Sequence, residues 1–596
     1  MSATIATTPR KSPSRKRWIY PETDAAASAE LSHAANLPLV VAELLLARGL
    51  RTADEIDRFL HPQLSHLHDP YSMLGMAAAV PRVQQAIERR EPILIYGDYD
   101  VDGTTATVLL KTAIEMLGGE VRFHVPHRLK EGYGMRDEIL EEAAAQGVRL
   151  VISVDTGIRA FAAAEAAEAL GLDLIVTDHH LPEAVPGSDS ILPRALAVLN
   201  PNQPACTYAC KHLCGAGVAF KLAQALLEAQ DVERARTKLL PSFLKILAIA
   251  TVADAVPLRG ENRVFVALGL EGLRNPVNAG LRELMKAANL DPSQRKLTPI
   301  DIAFRLAPRI NAAGRMDIAA DVVELFTTRK PQRAQDLAEK LESLNTDRRN
   351  TEAGILAQIE ERLKDESFQQ ARSILMQGEG WHRGIIGILA SRIVDQTGKP
   401  AVVITRDADD SGEAHGSGRS IPGYHLLEAI ETCHDLFTRY GGHAHAVGFS
   451  LPFDRVPELC RRLEAHAFSN LAEDALGSTL TIHAALPLDL ITPALFTWLH
   501  RLHPCGMGNE EPVFLAQNVR IASAPRFIKD RHVRLKLAQG ARAVTFPVIG
   551  WHWAERVQKM GLEQDSVIHL AYKLRKNDHP EFGGLELEIA DIEIAH

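Results

Sequence analysis

The sequence predicts an α/β protein: a doubly wound parallel sheet, then a long connecting helix, a second α/β domain and a C-terminal OB-like β-barrel. Three observations predict it. Short, wholly apolar runs that end in polar turns alternate with helical stretches across the first half, which is the pattern of a parallel sheet covered on both faces. Glycine-rich segments interrupt a second strand–helix alternation after residue 370. From about Ser478 short alternating runs replace the helices, as in small barrels.

The elements follow in order. Residues 1–34 read as a disordered or irregular tail, because the stretch through Arg17 is rich in Ser, Thr, Arg and Lys and has no apolar core. Residues 35–330 read as the first α/β domain, opening with a helical pattern from Asn36 to about Leu60. Its central stretch is Ile93–Gly103, ILIYGDYDVDG, a buried strand running into Asp98, Asp100 and Asp102, with a helix expected from Ala106 to Leu117. Residues at alternate positions of an extended chain share a face, so these three carboxylates are expected to converge. Further strands are expected at Val121–Val125, Leu150–Val154, Leu172–Val176 and Leu196–Leu199, with helices at Asp137–Gln146 and Ala160–Leu170 between them. In open parallel sheets ligands bind beyond the carboxyl ends of the strands. That rule gathers Asp98, Asp100, Asp102, Asp155, Asp178, His179 and His180 on one edge, and the apolar helix Phe243–Val252 delivers Asp254 there too.

A connecting helix is expected over 331–366, with stripes at Leu337, Leu341, Leu344 and at Leu356, Ile359, Leu363. The second α/β domain, 367–472, carries three glycine-rich turns: GEGWHRGIIG (Gly378–Gly387), GSGRS (Gly416–Ser420) and GGHAHAVG (Gly441–Gly448). Such turns expose backbone N–H groups to anions, here beside Arg419, His443 and His445. In the C-terminal domain, 473–596, Val533, Leu535 and Leu537 alternate with His532, Arg534 and Lys536, and Lys573, Arg575 and Lys576 add positive charge. A basic strand face can track a single-strand backbone.

Composition sets limits. The chain has 596 residues, 46% hydrophobic and 24% charged, with net charge −9. That excludes a basic nucleic-acid coat but not a local basic groove. No apolar run reaches the ~18 residues of a membrane span, so no membrane association is expected and the cytoplasm is the default. Six cysteines do not make a disulfide framework. Cys206, Cys210 and Cys214 near His212 are spaced by fours, but no CxxC pair supports zinc.

Asp and His without thiolates suit Mn²⁺ or Mg²⁺, and carboxylates beyond the need of one ion imply two divalent metal ions sharing a bridge. Asp155, alone on its strand end, is placed to be that bridge.

GDYDVDG (Gly97–Gly103), SVDTG (Ser153–Gly157), TDHH (Thr177–His180) and ATVADAVPL (Ala250–Leu258) resemble the four motifs of the DHH phosphoesterase superfamily, in order, and GGHAHAVG resembles its DHH-associated domain. Length, the stretch RINAAGR (Arg309–Arg315) and the barrel resemble, more narrowly, the bacterial RecJ family of single-strand-specific 5′→3′ DNA exonucleases. The resemblance implies Asp100, Asp102, Asp155, His179 and Asp254 as metal ligands. Asp98 and Asp178 would support these ligands or complete the coordination, and His180 would contact the scissile phosphate or orient its neighbour. Arg309, Asn311, Arg315, Ser417, Gly418, Arg419 and His443 resemble substrate-phosphate contacts. One departure is Tyr96, where phosphatase relatives have a histidine; it implies weaker hold on one ion, or recruitment of Asp98. The resemblance implies release of 5′ mononucleotides in DNA repair and recombination. Implied partners are single-stranded DNA, a single-strand DNA-binding protein and a RecQ-type helicase. Two other readings are a phosphodiesterase acting on short oligoribonucleotides or cyclic dinucleotides, and a non-catalytic single-strand-binding scaffold.

Overall fold

The computed structural model describes every residue except 1–15, 23, 129–130, 133, 184–190, 407–411, 473–475, 478, 541–543, 578–582 and 596. The chain forms two compact units. One comprises Arg48–Arg348 with Leu499–Glu511; the other comprises Met1–Ala47, Arg349–Trp498 and Pro512–His596.

In the first unit, five parallel strands stand in the order Val121–His124, Ile93–Tyr96, Leu150–Val154, Asp173–Thr177, Ala197–Leu199. Ile93–Tyr96 and Leu150–Val154 are buried along their whole length, the reason they read as continuous apolar runs. One face packs on Val101–Met116 and Gly215–Gln230, whose apolar residues join a large core with Leu240–Ala253. The other face packs on Leu140, Ala143, Ala163 and Ala167 of Asp137–Ala145 and Phe161–Ala169. The loop Leu499–Glu511, expected in the C-terminal domain, belongs to this unit. The guanidinium of the buried Arg263 donates to the carbonyls of Phe59, Leu502 and His503, and Arg48 donates to Asn509 at 2.7 Å.

The second unit contains a five-stranded sheet in the order Arg439–His443, Ala446–Pro452, Glu413–Arg419, Ala401–Arg406, Ile374–Glu379; only the last pair is parallel. This corrects one of the expected turns: Gly416–Ser420 lies mostly in the strand Glu413–Arg419, whereas Gly441–Gly448 does turn the chain, as a hairpin between Arg439–His443 and Ala446–Pro452. A Cβ on Gly416 would run into the Phe449 ring, and one on Gly418 would stand 2.8 Å from Leu426 and Val447. The missing side chains therefore serve close packing rather than tight turning. The remaining glycine-rich segment does lead from Ile374–Glu379 into the helix Arg383–Thr397.

Seven further strands form the C-terminal sheet. Five of them make a closed circuit: Phe514–Ile521 pairs with Val567–Asn577, which pairs with Gly584–Ile594, then Val544–Gly550, then His532–Gln539, which returns to Phe514–Ile521. Val533, Leu535 and Leu537 face inward while Arg534 and Lys536 are exposed.

The N-terminal expectation is corrected within the described residues. Arg17–Ile19 is a strand in register with Thr479–Thr481, and Ala25–Ala35 is a helix capped by Asp24. Trp18 fixes that strand: its ring packs with Ile482, Val513 and Leu515 while Nε1 donates to Asp591 at 2.8 Å. A partly buried indole whose N–H finds a partner stabilises the segment that carries it. Residues 1–15 lie outside the described residues. The helix Pro331–Arg362 carries the chain from one unit into the other, burying Leu337 and Leu341, then Ile355 and Ile359. Among the described residues, no single helix is long and apolar enough to cross a membrane.

Candidate metal centre

The three aspartates after the first strand converge by a route other than an extended chain. The helix begins at Val101, earlier than expected, because Asp100 caps it: its side chain accepts from Gly103 N–H at 2.9 Å, as capping aspartates do. Asp98 lies in the turn before the cap, and Gly103 lets the helix close onto it, since a Cβ there would stand 2.6 Å from the Asp98 backbone. Asp102, in the first helical turn, is 1% exposed and accepts from Gly215 N–H at 2.6 Å and Ala216 N–H at 2.9 Å.

Asp155 extends the sheet by donating its N–H to Thr177 O at 2.9 Å, then turns with φ of 59°. A left-handed, non-glycine residue is strained by about 1–2 kcal/mol, held here by the buried strands on either side. Asp254 ends the helix Leu240–Ala253, and Ala255 after it takes φ of 56°.

His179 joins these acids. Its Nε2 lies 3.3 Å from Asp155 Oδ1 and 3.8 Å from both Asp102 Oδ2 and Asp254 Oδ2. Ligand atoms come within 4.8 Å of one another in three sets: Asp155, His179, His180; Asp102, His179, Asp254; and Asp98, Asp100, Asp155. Asp155 and His179 each belong to two. Asp98 Oδ1, Asp155 Oδ1 and Asp254 Oδ2 are buried without a hydrogen-bond donor. Orphaned buried carboxylate oxygens are costly unless a cation satisfies them, so these side chains fit divalent ions with oxygen and imidazole ligands.

Electrostatics agree. Burial first, then the neighbouring aspartates, pushes the carboxyls of Asp98, Asp155 and Asp254 well above the ordinary range, and burial raises Asp102 too. Burial lowers the His179 pKa, keeping the imidazole in the neutral form that ligates metals. Asp178 differs. Burial opposes its ionisation, yet its hydrogen bonds to His180 outweigh that and hold it below the ordinary range. Its carboxylate accepts from Ile158 N–H (2.9 Å), His179 N–H (2.7 Å), His180 N–H (3.1 Å) and the His180 ring at Nδ1 (2.7 Å). Asp178 is thus a clamp on the histidine pair rather than a ligand. Asn200 and Asn202 complete it, donating to His180 O at 2.9 Å and His179 O at 2.7 Å.

Tyr96 is fully buried on the opposite face of the sheet, stacked near His124, with its hydroxyl 3.3 Å from Gly134 O. It contributes no ligand.

The substrate-contact candidates divide. Arg309 is a correction: its guanidinium is bound by the Glu342 carboxylate and the Arg305 carbonyl and is largely buried. On the same helix, Ala307–Met316, Asn311 and Arg315 are half-buried. Gly314 of this helix packs against the Tyr99 carbonyl, beside Asp98 and Asp100. In the other unit, Arg419 donates to Ser417 Oγ at 3.2 Å and Gly418 O at 2.7 Å. Gly387 gives the pair room, since a Cβ there would lie 3.0 Å from Ser417 Oγ. His443 is exposed at the end of its hairpin strand.

The barrel presents Arg526 and Arg534 as register partners on its outer face, next to exposed Lys536. Trp551, 53% exposed, packs edge-on to His532 at 5.0 Å. Sequence reasoning missed Gly215 and Ala216, whose only signal was a Gly-Ala-Gly run opening an apolar helix, and the asparagine clamp, signalled by asparagines just past a strand.

Three family models match: the DHH family N-terminal domain over 92–251, the DHHA1 domain over 369–467 and the RecJ OB domain over 482–591. The single-stranded-DNA-specific exonuclease RecJ of Bacillus subtilis (strain 168) is 36% identical over 88% of this chain, which spans 64% of that relative's length. The protein of the same name from Dickeya dadantii is 36% identical, covering 84% of this chain and 87% of the relative. The crystal structure of RecJ in complex with Mn²⁺ from Thermus thermophilus superposes with a TM-score of 0.81 at 28% identity, over 97% of this chain and 80% of that one. A parallel-sheet DHH domain that gathers these acids and histidines, a DHHA1 domain and a RecJ-type barrel thus stand in one chain, which belongs to the RecJ family of single-stranded-DNA-specific exonucleases.

Proposed function

We propose that this chain is a single-stranded-DNA-specific 5′→3′ exonuclease that releases 5′ mononucleotides by two-metal-ion phosphodiester hydrolysis, in DNA repair and recombination. The observation that carries the reading is the orphaned Oδ1 of Asp155, a residue common to two ligand sets that draw on four other side chains of one sheet edge. Divalent ions, Mn²⁺ or Mg²⁺, bound by Asp98, Asp100, Asp102, Asp155, His179 and Asp254 supply an activated water and neutralise phosphate charge.

The chain's own groups do the rest. Asp178 fixes the His180 ring through Nδ1, so that Nε2 is the atom turned to a phosphate or its leaving oxygen. Arg315 and Asn311 bind strand phosphates on the unit that carries the metal centre; Ser417, Gly418, Arg419 and His443 are a separate set of phosphate contacts on the other unit. Arg526, Arg534 and Lys536 track the strand's backbone along the barrel, where Trp551 offers a ring for a base to stack on. The phosphate contacts make affinity salt-dependent. A single-strand DNA-binding protein and a RecQ-type helicase, which would present the strand, and a cytoplasmic location belong to the same reading.

The test is digestion of 5′-labelled and 3′-labelled strands, single and double, over a metal series with and without chelator. Single strands should lose a 5′ label at once as mononucleotide, only with metal, and Asp155→Ala should abolish this while strand binding survives. Unchanged turnover in Asp155→Ala, or equal cutting of blunt duplexes, would overturn the reading.

A further inference from the structure

Asp102 and Asp155 come from different strand ends, 53 positions apart in the chain, and a third element lies between them. That element is the first turn of the helix Gly215–Gln230. Asp102 Oδ2 accepts from Gly215 N–H at 2.6 Å and Oδ1 from Ala216 N–H at 2.9 Å. Cys214, the capping residue of the same helix, has its Sγ 3.8 Å from Thr251 Oγ1. Each Asp102 oxygen is held by a fixed backbone donor, and the partial positive charge of the helix start stabilises the carboxylate. The other side of the turn is bare by necessity. A Cβ on Gly215 would stand 2.5 Å from Asp155 Cβ and 2.7 Å from its Cγ, closer than real Cβ contacts allow. Asp155 is itself buried, 2% exposed.

The helix is itself locked. Two turns along, the wholly buried Lys221 pairs with Glu261 at 2.9 Å and donates to His68 O and Gln224 Oε1. Its first turn therefore cannot yield to relieve a clash.

We propose that Gly215 and Ala216 are positioning residues of the metal centre: their backbone N–H groups fix Asp102 while the absent side chain at 215 sets how closely Asp155 approaches it. This rests on the divalent-ion reading above. It deepens that reading by placing control of ion affinity in residues that are not ligands.

Binding of Mn²⁺ to the full-length chain, without DNA, is read by loss of the free-ion electron paramagnetic resonance signal. The wild type should bind and Asp155→Ala should not. Gly215→Ala should weaken Kd by about 10–100-fold, the usual cost of disturbing groups that orient ligands. Ala216→Pro, in the first turn where a helix tolerates proline, removes one donor to Asp102 and should weaken it in the same direction. Gly217→Ala places the same methyl two residues on, 3.3 Å from Leu213 Cβ and 3.7 Å from Cys214 Sγ, away from both aspartates; it should leave Kd within about threefold. Circular dichroism checks that each variant folds. If Gly215→Ala does not fold, Ala216→Pro decides. Wild-type binding that Asp155→Ala abolishes but Gly215→Ala and Ala216→Pro leave unchanged overturns this proposal alone. No Mn²⁺ binding by the wild type, or equal binding by Asp155→Ala, overturns the metal reading beneath it.

Discussion

Asp155→Asn separates what this carboxylate costs the fold from what it does for the centre. Its Oδ1 has no donor, and carboxylate oxygens of Asp98 and Asp100 lie within 4.8 Å in the same set. At 4.8 Å and an effective dielectric of about 20, each charged pair repels by about 3.5 kcal/mol. The protein escapes part of this by keeping a proton, because burial and then Asp102, Asp100, Asp98 and Asp254 raise the pKa. A carboxyl raised above its unfolded value of about 3.9 binds more protons folded than unfolded. Its contribution is whole below that value and is lost as pH rises through the folded pKa. An amide of the same shape carries no charge, loses no hydrogen bond and offers an N–H to a neighbouring acid. In chelator at pH 8 the variant should therefore be more stable than wild type by roughly 1–3 kcal/mol, part of one pair's repulsion. Its stability should also fall less between pH 5 and 8. Mn²⁺ should reverse the order, adding about 2.7 kcal/mol to the wild type at a hundred times Kd and little to the variant. Urea unfolding read by hydrogen exchange in Leu150–Val154, in chelator and in Mn²⁺, measures both. A variant less stable in chelator, or one that gains as much from Mn²⁺, refutes the reasoning.

Asp178→Asn should lower turnover by about 10–100-fold with little change in KM, because it loosens the His180 ring rather than a strand contact; an unchanged kcat would remove the clamp from the mechanism. Arg309→Ala should cost about 1–2 kcal/mol of stability by leaving Glu342 unpaired and leave single-strand affinity within twofold; reduced affinity at unchanged stability would restore Arg309 as a phosphate contact. Arg534→Ala with Lys536→Ala should weaken strand binding and lower the slope of log K against log salt by about 0.7 for each phosphate no longer neutralised; an unaltered slope would take the strand off that face of the barrel.

What was legible in the chain was whatever its own local physics dictates. Strands buried on both faces are mostly apolar, so Ile93–Tyr96 and Leu150–Val154 stood out at their observed bounds, and a parallel sheet must deliver the acids after them to one edge. Misreadings arose where a residue type has two uses and only a distant partner selects between them. Gly416 and Gly418 could serve turning or packing; Phe449, Leu426 and Val447 decide for packing, and nothing near them in sequence says so. Arg309 could serve a phosphate or a carboxylate, and Glu342 on another helix takes it. Asp98, Asp100 and Asp102 met by a cap rather than a pleat, since a capping aspartate gains a backbone donor that an extended chain would leave to water. Trp18 shows the converse: a composition typical of disorder gives way where one indole finds a partly buried seat and a carboxylate. Gly215 is the extreme case, for its role is the room it leaves Asp155, and a chain read residue by residue records side chains that are present but not the space that a missing one provides.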